Sequence, residues 1–466
     1  MMATVLLATL LQQPPAAPVT DSAAVGRPCT VVIDSVRGSA QQVEVRKGET
    51  NVFAGRGVFA HCRGTGTSLQ ADSVAWFAGI GRFDMIGQQN LVHIRDTAIA
   101  LDATTAAYFM RQERLDAHRN VVAVTRSTGS VLRGPNLTYY RAAKGVRDTL
   151  EMYASSRPTI EYHATADSGE PYIIVADRVR FKGNDRMWGG GQVTIDRSDF
   201  AARGDSMQLD QTTGFGLLVG QPRVEGKGAR PYTLTGTRIE FGLEGRDIRL
   251  VKALGNGVAT GVDWRLTADT IHLHVERKKL QQAFAWGPKD SVHAHAVSTR
   301  NTIQADSLAL DLPGEVLTEA RAFGHAYSSS QQEPAKHDST AKPAVNWIAG
   351  DSLTARWTQE PDSTRGGALK TVLHQVISRG VPARAFTHLA NERDSLGPSL
   401  DYSRGAIIDV VMRGDKVDRV RVTGKADGLH LEPLPPVSPD SAKKDSTKAT
   451  RKKATPPRPP AKAPAR

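Results

Sequence analysis

The sequence predicts an all-β protein: an elongated stack of short strands repeating every ~32 residues and followed by a disordered basic tail. Three observations carry this. The segment "IQADSLAL" (303–310) has close copies in "LQADSVAW" (69–76), "IVADRVRF" (174–181), "LTADTIHL" (266–273) and "IAGDSLTA" (348–355). Val, Ile, Thr and Leu alternate with polar residues along most of the chain, and no 3.6-residue period is sustained. Glycine, at 42 of 466 residues, favours turns over long helices.

With the aspartate as position zero, apolar residues recur at plus two and plus four. The pairs are Val74 and Trp76, Val179 and Phe181, Met207 and Leu209, Ile271 and Leu273, and Leu308 and Leu310. Degenerate copies put Thr104 ahead of Ala106 and Tyr108, Pro135 ahead of Leu137 and Tyr139, and Thr237 ahead of Ile239 and Phe241. Asp351 leads Leu353, Ala355 and Trp357. The zero positions 72, 104, 135, 177, 205, 237, 269, 306 and 351 are spaced by 32, 31, 42, 28, 32, 32, 37 and 45 residues. Two polar, Pro-containing stretches, 156–171 and 328–343, account for the largest excesses and read as inserted loops.

Side chains two apart share one face of a strand, so plus two and plus four point the same way. The places between them (Ala75, Arg180, Gln208, Glu240, His272) are small or polar and suit a wet face. The aspartate reads as a turn residue entering the strand, its carboxylate accepting turn N–H groups. A second landmark, Gly or Asn ahead of another alternating run, follows 14 to 18 residues later, as in "GQQNLVHI" (87–94), "HRNVVAVT" (118–125), "GNGVATGV" (255–262) and "GHAYS" (324–328). A unit this small cannot bury its apolar face alone and must stack on its neighbours.

The start, "MMATVLLATLLQ", is too short to span a bilayer, which takes about 20 residues, and reads as the core of an export signal. Aromatics at 6% and a mean hydropathy of −0.35 exclude a membrane helix bundle. Cys29 and Cys62 lie 33 residues apart, one repeat, on neighbouring rungs. In an exported chain they pair as a disulfide worth about 3–4 kcal/mol by chain entropy; otherwise they are two buried thiols. The net charge of +12 is concentrated in residues 440–466, where six Lys and three Arg face Asp440 and Asp445. Two readings stand for that tail: a solvated segment, or contact with an anionic surface. Nucleic acid is excluded as a partner, because no aromatics interleave with the charges and export removes the target.

The segments "SLQADSVAWF" (68–77), "GQQNLVHIRDTAIAL" (87–101), "RLDAHRNVVAVTRSTGSVLRGPNLTYY" (114–140) and "LTADTIHLHV" (266–275) resemble the OstA-like domain of lipopolysaccharide-transport proteins, the LptA family. The resemblance spans residues 30 to about 430. It implies a twisted β-jelly roll of two antiparallel sheets, a periplasmic location with outer-membrane association, and no cofactor. It further implies lipopolysaccharide (lipid A) as partner and end-to-end strand addition to other transport components. The lipid-facing residues would then be Val74, Trp76, Tyr108, Tyr139, Val179, Phe181, Met207, Leu209, Ile239, Phe241, Ile271, Leu273, Leu308 and Leu310. The same side chains would fill a closed sandwich equally well. The chain departs from the family in being over twice the length of a single bridge subunit, in showing no N-terminal membrane anchor and no outer-membrane barrel strands after 430, and in its basic tail.

The organisation expected is a leader (1–24), repeats (25–327), a polar insertion (328–345), further repeats (346–432) and the tail (433–466). No catalytic residue is assigned, since aspartates spaced one per repeat make no acid–base pair. His272 with His274, and His293 with His295, share strand faces, but no metal site is assigned to them; "GGGQ" (189–192) reads as a turn. A structural or adhesive exported repeat protein and a β-solenoid polysaccharide-active enzyme are the rival functions.

Overall fold

The computed structural model describes residues 28–163, 169–245, 247–287, 293–331, 345–361, 369–389, 399–413 and 416–433. The expected leader, the bulk of the 328–345 insertion and the tail beyond 433 lie outside them. The described residues form 32 strands and two single-turn 3-10 helices, Met110–Gln112 and Pro313–Glu315, so the fold is all-β. They divide into two compact units, drawn from Met1–Thr299 with Asp306–Leu317 and from Arg300–Ala305 with Thr318–Arg466.

The first unit is a jelly roll whose rungs each have two arms. Arg114–Thr125 shows the plan: residues 114–118 pair with Thr105–Phe109, whereas 122–125 pair with Ile99–Ala103. Its other neighbour, Val131–Tyr140, divides in the same way between Thr159–Tyr162 and Glu151–Ser155. Two antiparallel ladders therefore grow side by side and share the long strands. A first ladder runs through Arg82–Ile86, Thr105–Phe109, Glu151–Ser155, Arg178–Lys182, Phe215–Val219, Arg238–Glu244 and Ser307–Asp311. A second runs through Val92–Arg95, Ile99–Ala103, Thr159–Tyr162, Tyr172–Val175, Arg223–Gly226 and Tyr232–Thr235. Pairs of long rungs alternate with pairs of rungs broken in two. Two rungs make one 32-residue repeat, which is why the second landmark falls about 16 residues after the first.

The arms meet at a corner that every rung crosses, and there the aspartate has its place. Asp72, Asp205 and Asp269 lie inside long strands at a register shift, while Thr104, Asp177 and Thr237 lie at the break between two short ones. The motif residue thus marks a corner and not a turn entering a strand. The second landmark is the corner of the next rung, usually two consecutive residues in the left-handed region: Arg119–Asn120, Gly191–Gln192, Gly220–Gln221 and Gly255–Asn256. At Gly191, φ is +81° and an added Cβ would come within 2.3 Å of the Asp177 carboxylate, so only glycine fits. Asp177 N–H donates to the Gly191 carbonyl at 2.9 Å and Thr104 N–H to that of Arg119 at 2.8 Å, tying each corner to the next.

Asp72 shows what the carboxylate does. The N–H groups of Gln88, Gln89 and Asn90 donate to its Oδ2 at 2.7, 2.7 and 2.9 Å, and Asn90 Nδ2 donates to Oδ1 at 3.0 Å. Donation from the Asn90 side chain, then from the three backbone N–H groups, holds its pKa well below the usual carboxylate range.

Alternation places the core between the ladders. Phe83, Leu101, Leu137, Ile174, Leu218 and Ile239 are fully buried there, each contributing about 1.5–3 kcal/mol. Two stretches expected as loops are partly strand. Thr159–Tyr162 pairs on both sides and buries Ile160 and Tyr162, and Ser328–Gln331 closes the strand Glu319–Gln331. "GGGQ" lies inside the strand Arg186–Arg197, at its corner. In the second unit, Asn301–Ala305, Glu319–Gln331, Val345–Pro361, Leu369–Leu389 and Ser399–Arg413 pair in succession. Their outward face carries Tyr327, Trp347 and Phe386 as a cross-strand stack with centroids 6.2 and 6.3 Å apart.

Replacing Asp72 by Ala should lower stability by about 1 kcal/mol, as loss of a capping carboxylate does. Its folded pKa is depressed, so the contribution is present above the usual carboxylate range and is lost as the pH falls through the folded value. The gap in melting temperature between Asp72→Asn and the parent should therefore be open at pH 7 and narrow as the pH drops below about 4.

Candidate functional site

All fourteen residues predicted from the sequence to face a lipid fall on the first ladder and point between the ladders. Val74, Tyr108, Tyr139, Val179, Met207, Ile239, Phe241, Ile271, Leu273, Leu308 and Leu310 are buried; Trp76, Phe181 and Leu209 are half-buried. The facing wall escaped the plus-two, plus-four pattern. It is made by residues at minus three and minus one: Leu69 and Ala71, Ile174 and Ala176, Leu266 and Ala268, all buried. From minus one to plus two is three residues, not an even number. The phase of the alternation therefore slips at the aspartate, and that slip turns both arms toward one interior. It was visible in the sequence as apolar minus three and minus one ahead of apolar plus two and plus four. Alanine at minus one fits because the ladders converge at the corner.

The interior is not uniform along the stack. Between residues 28 and 141 the side opposite the corner is laced shut by a buried polar network. Tyr139 donates to Asp96 Oδ2 at 3.0 Å, joining the first ladder to a hairpin of the second, and Thr67 donates to Asp96 Oδ1 at 2.8 Å. Glu113, fully buried, accepts from Tyr108, from Arg141 at 3.0 Å and from the Cys29 N–H at 2.6 Å. Cys29 and Cys62 form a disulfide, which fixes that N–H in place. Burial, then the Glu113 charge, pushes the Tyr108 hydroxyl far up; burial and Asp96 do the same to Tyr139. Burial pulls Arg141 down, but Tyr108, Glu113 and Asp96 together outweigh it and raise its pKa. Each of these carboxylates accepts several hydrogen bonds, so the network seals this part of the interior.

Farther along, the interior opens. Tyr162, Tyr172, Ile174, Ile195 and Phe200 of the second ladder face Met207, Leu209, Phe241, Leu243 and Ile248 of the first across an apolar cleft. Phe200 meets Phe241 across it, ring centroids 5.9 Å apart. Ile195, Leu209 and Leu243 point inward by alternation, Ile248 comes opposite Leu243 across a register shift, and all four remain only half-buried. Gly216 keeps the floor low, since a Cβ there would press on Phe241 at 3.2 Å. At the lip, Arg197 stacks over the Tyr172 ring at 4.2 Å and bonds Asp199 at 2.8 Å, and Lys278 of the opposite wall stands 4.0 Å from Asp199. Burial raises the Asp199 pKa, but the Arg197 hydrogen bond and charge outweigh it and hold it below the usual range. Of this cleft the sequence pattern named only Met207, Leu209 and Phe241.

The histidine pairs are used otherwise. His272 packs edge-on against Trp286 at 4.7 Å and His274 against Phe284 at 5.3 Å. Among the described residues no three His, Cys, Asp or Glu side chains converge as metal ligands, and no helix is long and apolar enough to cross a membrane.

Glu113→Ala should cost about 3–5 kcal/mol in urea unfolding, because it removes the buried carboxylate that pairs with Arg141 and accepts from Tyr108 and the Cys29 N–H.

No protein-family model matches the chain, and no curated protein matches it. Seven chains of solved structures match. Among them is LptH from Pseudomonas aeruginosa, described as the LptA-homologous periplasmic component of the lipopolysaccharide transport device. That likeness covers 32% of this chain and 97% of the other, at 15% identity and a TM-score of 0.22.

Proposed function

We propose that this protein is an exported, periplasmic, non-enzymatic lipid carrier that holds the acyl chains of lipopolysaccharide in the cleft between its ladders on the way to the outer membrane. The observation that carries the reading is the set of inward apolar residues left half-exposed on facing walls: Ile195, Leu209, Leu243 and Ile248. In a closed structural sandwich these positions near the hairpin ends would be covered, and here they line an opening. Each acyl CH₂ that leaves water for such a cleft gains about 0.8 kcal/mol, so apolar contact favours an acyl chain there without any polar recognition. The resemblance of the repeat to OstA-like domains supports the same cargo. On this reading the aromatics Tyr162, Tyr172, Phe200 and Phe241 wall the cleft, and the paired charges at Arg197, Asp199 and Lys278 mark its boundary with water. Chemistry is left to other components, and transfer to them proceeds by strand addition at the ends of the stack.

The test is photo-crosslinking in a Gram-negative cell that makes lipopolysaccharide. A photoreactive amino acid at Leu209, Leu243 or Phe241 should form lipopolysaccharide adducts, and one at the outward Ala75, Arg180 or Glu240 should not. Adducts at neither set, with the protein folded and exported, would reject the carrier reading in favour of a structural or adhesive repeat protein.

A further inference from the structure

The outward face of the first ladder carries a groove that the cleft leaves unused. Its strands are Val131–Tyr140, Glu151–Ser155, Arg178–Lys182, Arg186–Arg197 and Phe200–Asp210, side by side. Gly190 puts no side chain on this face, so the surface sinks between its register partners Arg178 and Ser206. The Arg178 guanidinium lies against that glycine, with Nε 3.2 Å from where a Cβ would stand. The resulting groove of about 640 Å³ falls within the range of roughly 300–1,000 Å³ typical of small-molecule sites.

Its lining differs in kind from that of the cleft. Tyr153 and Trp188 flank the Arg180 guanidinium, which stands 5.3 and 5.4 Å from their rings. Glu151 fixes this wall, accepting from the Tyr153 hydroxyl at 2.6 Å and from Arg180 at 3.3 Å. The Arg180 charge is thereby compensated. Asp177, the other carboxylate nearby, is engaged by Arg157 at 3.2 Å. Arg178 has no acidic partner among the described residues and is exposed. At the corner end His118 and Asn136 share a hydrogen bond of 2.9 Å.

This lining suits a ligand that is polar, ring-shaped and acidic. Amphipathic aromatic rings pack against the C–H faces of sugar rings while their polar edges stay wet. An uncompensated guanidinium grips a carboxylate or phosphate through two parallel hydrogen bonds. An acyl chain could cover the two rings but would leave the Arg178 charge uncompensated. We propose that the groove binds an acidic saccharide, with its rings against Tyr153 and Trp188 and its anionic group on Arg178. The inference does not rest on the carrier reading.

Calorimetric titration of the full chain tests it, with trigalacturonate as a uronate probe, lipid-free phosphorylated core oligosaccharide as a phosphate probe, and maltotriose as the uncharged control. At least one acidic probe should bind saturably, at least tenfold more tightly than maltotriose. Its affinity should drop tenfold or more in Arg178→Ala and in Gly190→Val, with melting temperatures unchanged. Preference for one acidic probe identifies the source of the anion, uronate or phosphate. Absence of saturable binding by both acidic probes, or an affinity that Arg178→Ala leaves intact, overturns the proposal. Crosslinking at Leu209 is independent of either result, so failure here is distinguishable from failure of the carrier reading.

Discussion

On the motif rungs both arms face inward because the alternation slips by one residue at the corner. A strand presents alternate side chains to alternate faces, so a rung that merely bent would bury one arm and expose the other. On the rungs between, a left-handed pair such as Gly191–Gln192 or Gly255–Asn256 makes the corner, and the inward residues on either side, Gly189 and Val193 or Ala253 and Gly257, stand four apart. Hydrogen bonds between successive corners then hold the slips in line, as from Asp177 N–H to Gly191 and from Thr104 N–H to Arg119. Two walls, one interior and the opening between them all follow from this local arrangement.

The period, the strand class and one wall were legible in the sequence, because side chains at plus two and plus four obey a simple rule. The second wall does not follow from that rule, although Leu69 and Ala71 or Ile174 and Ala176 stand in plain view before the aspartate. A single period of two, carried through the motif, puts them on the wrong face. The strand Thr159–Tyr162 has a loop-like sequence, because Pro158 and the polar residues around it outweigh the alternation of Ile160 and Tyr162. The openness of the cleft has no sequence signature at all. Leu209 and Leu273 occupy the same motif position, yet Leu209 is half-exposed and Leu273 fully buried, and only the neighbours across the interior decide which.

The two treatments of that interior also differ in kind. Between 28 and 141 the side opposite the corner is closed by charge and hydrogen bonding around Glu113 and Asp96, which demands complete pairing and tolerates no intruder. Around Phe200 and Phe241 the walls are apolar and under-packed at the lip, which tolerates many occupants and specifies none. One stack thus combines a rigid, sealed stretch with an adaptable, open one.

The corner works like a reading frame. An insertion of one residue there would turn an entire arm inside out, polar face inward, whereas ten residues added at a hairpin end leave every face where it was. The irregular spacings of 42 and 45 residues take up their extra length away from the corners. Such a chain can therefore vary in loop content, and lengthen by whole pairs of rungs, while the register that defines its interior stays fixed.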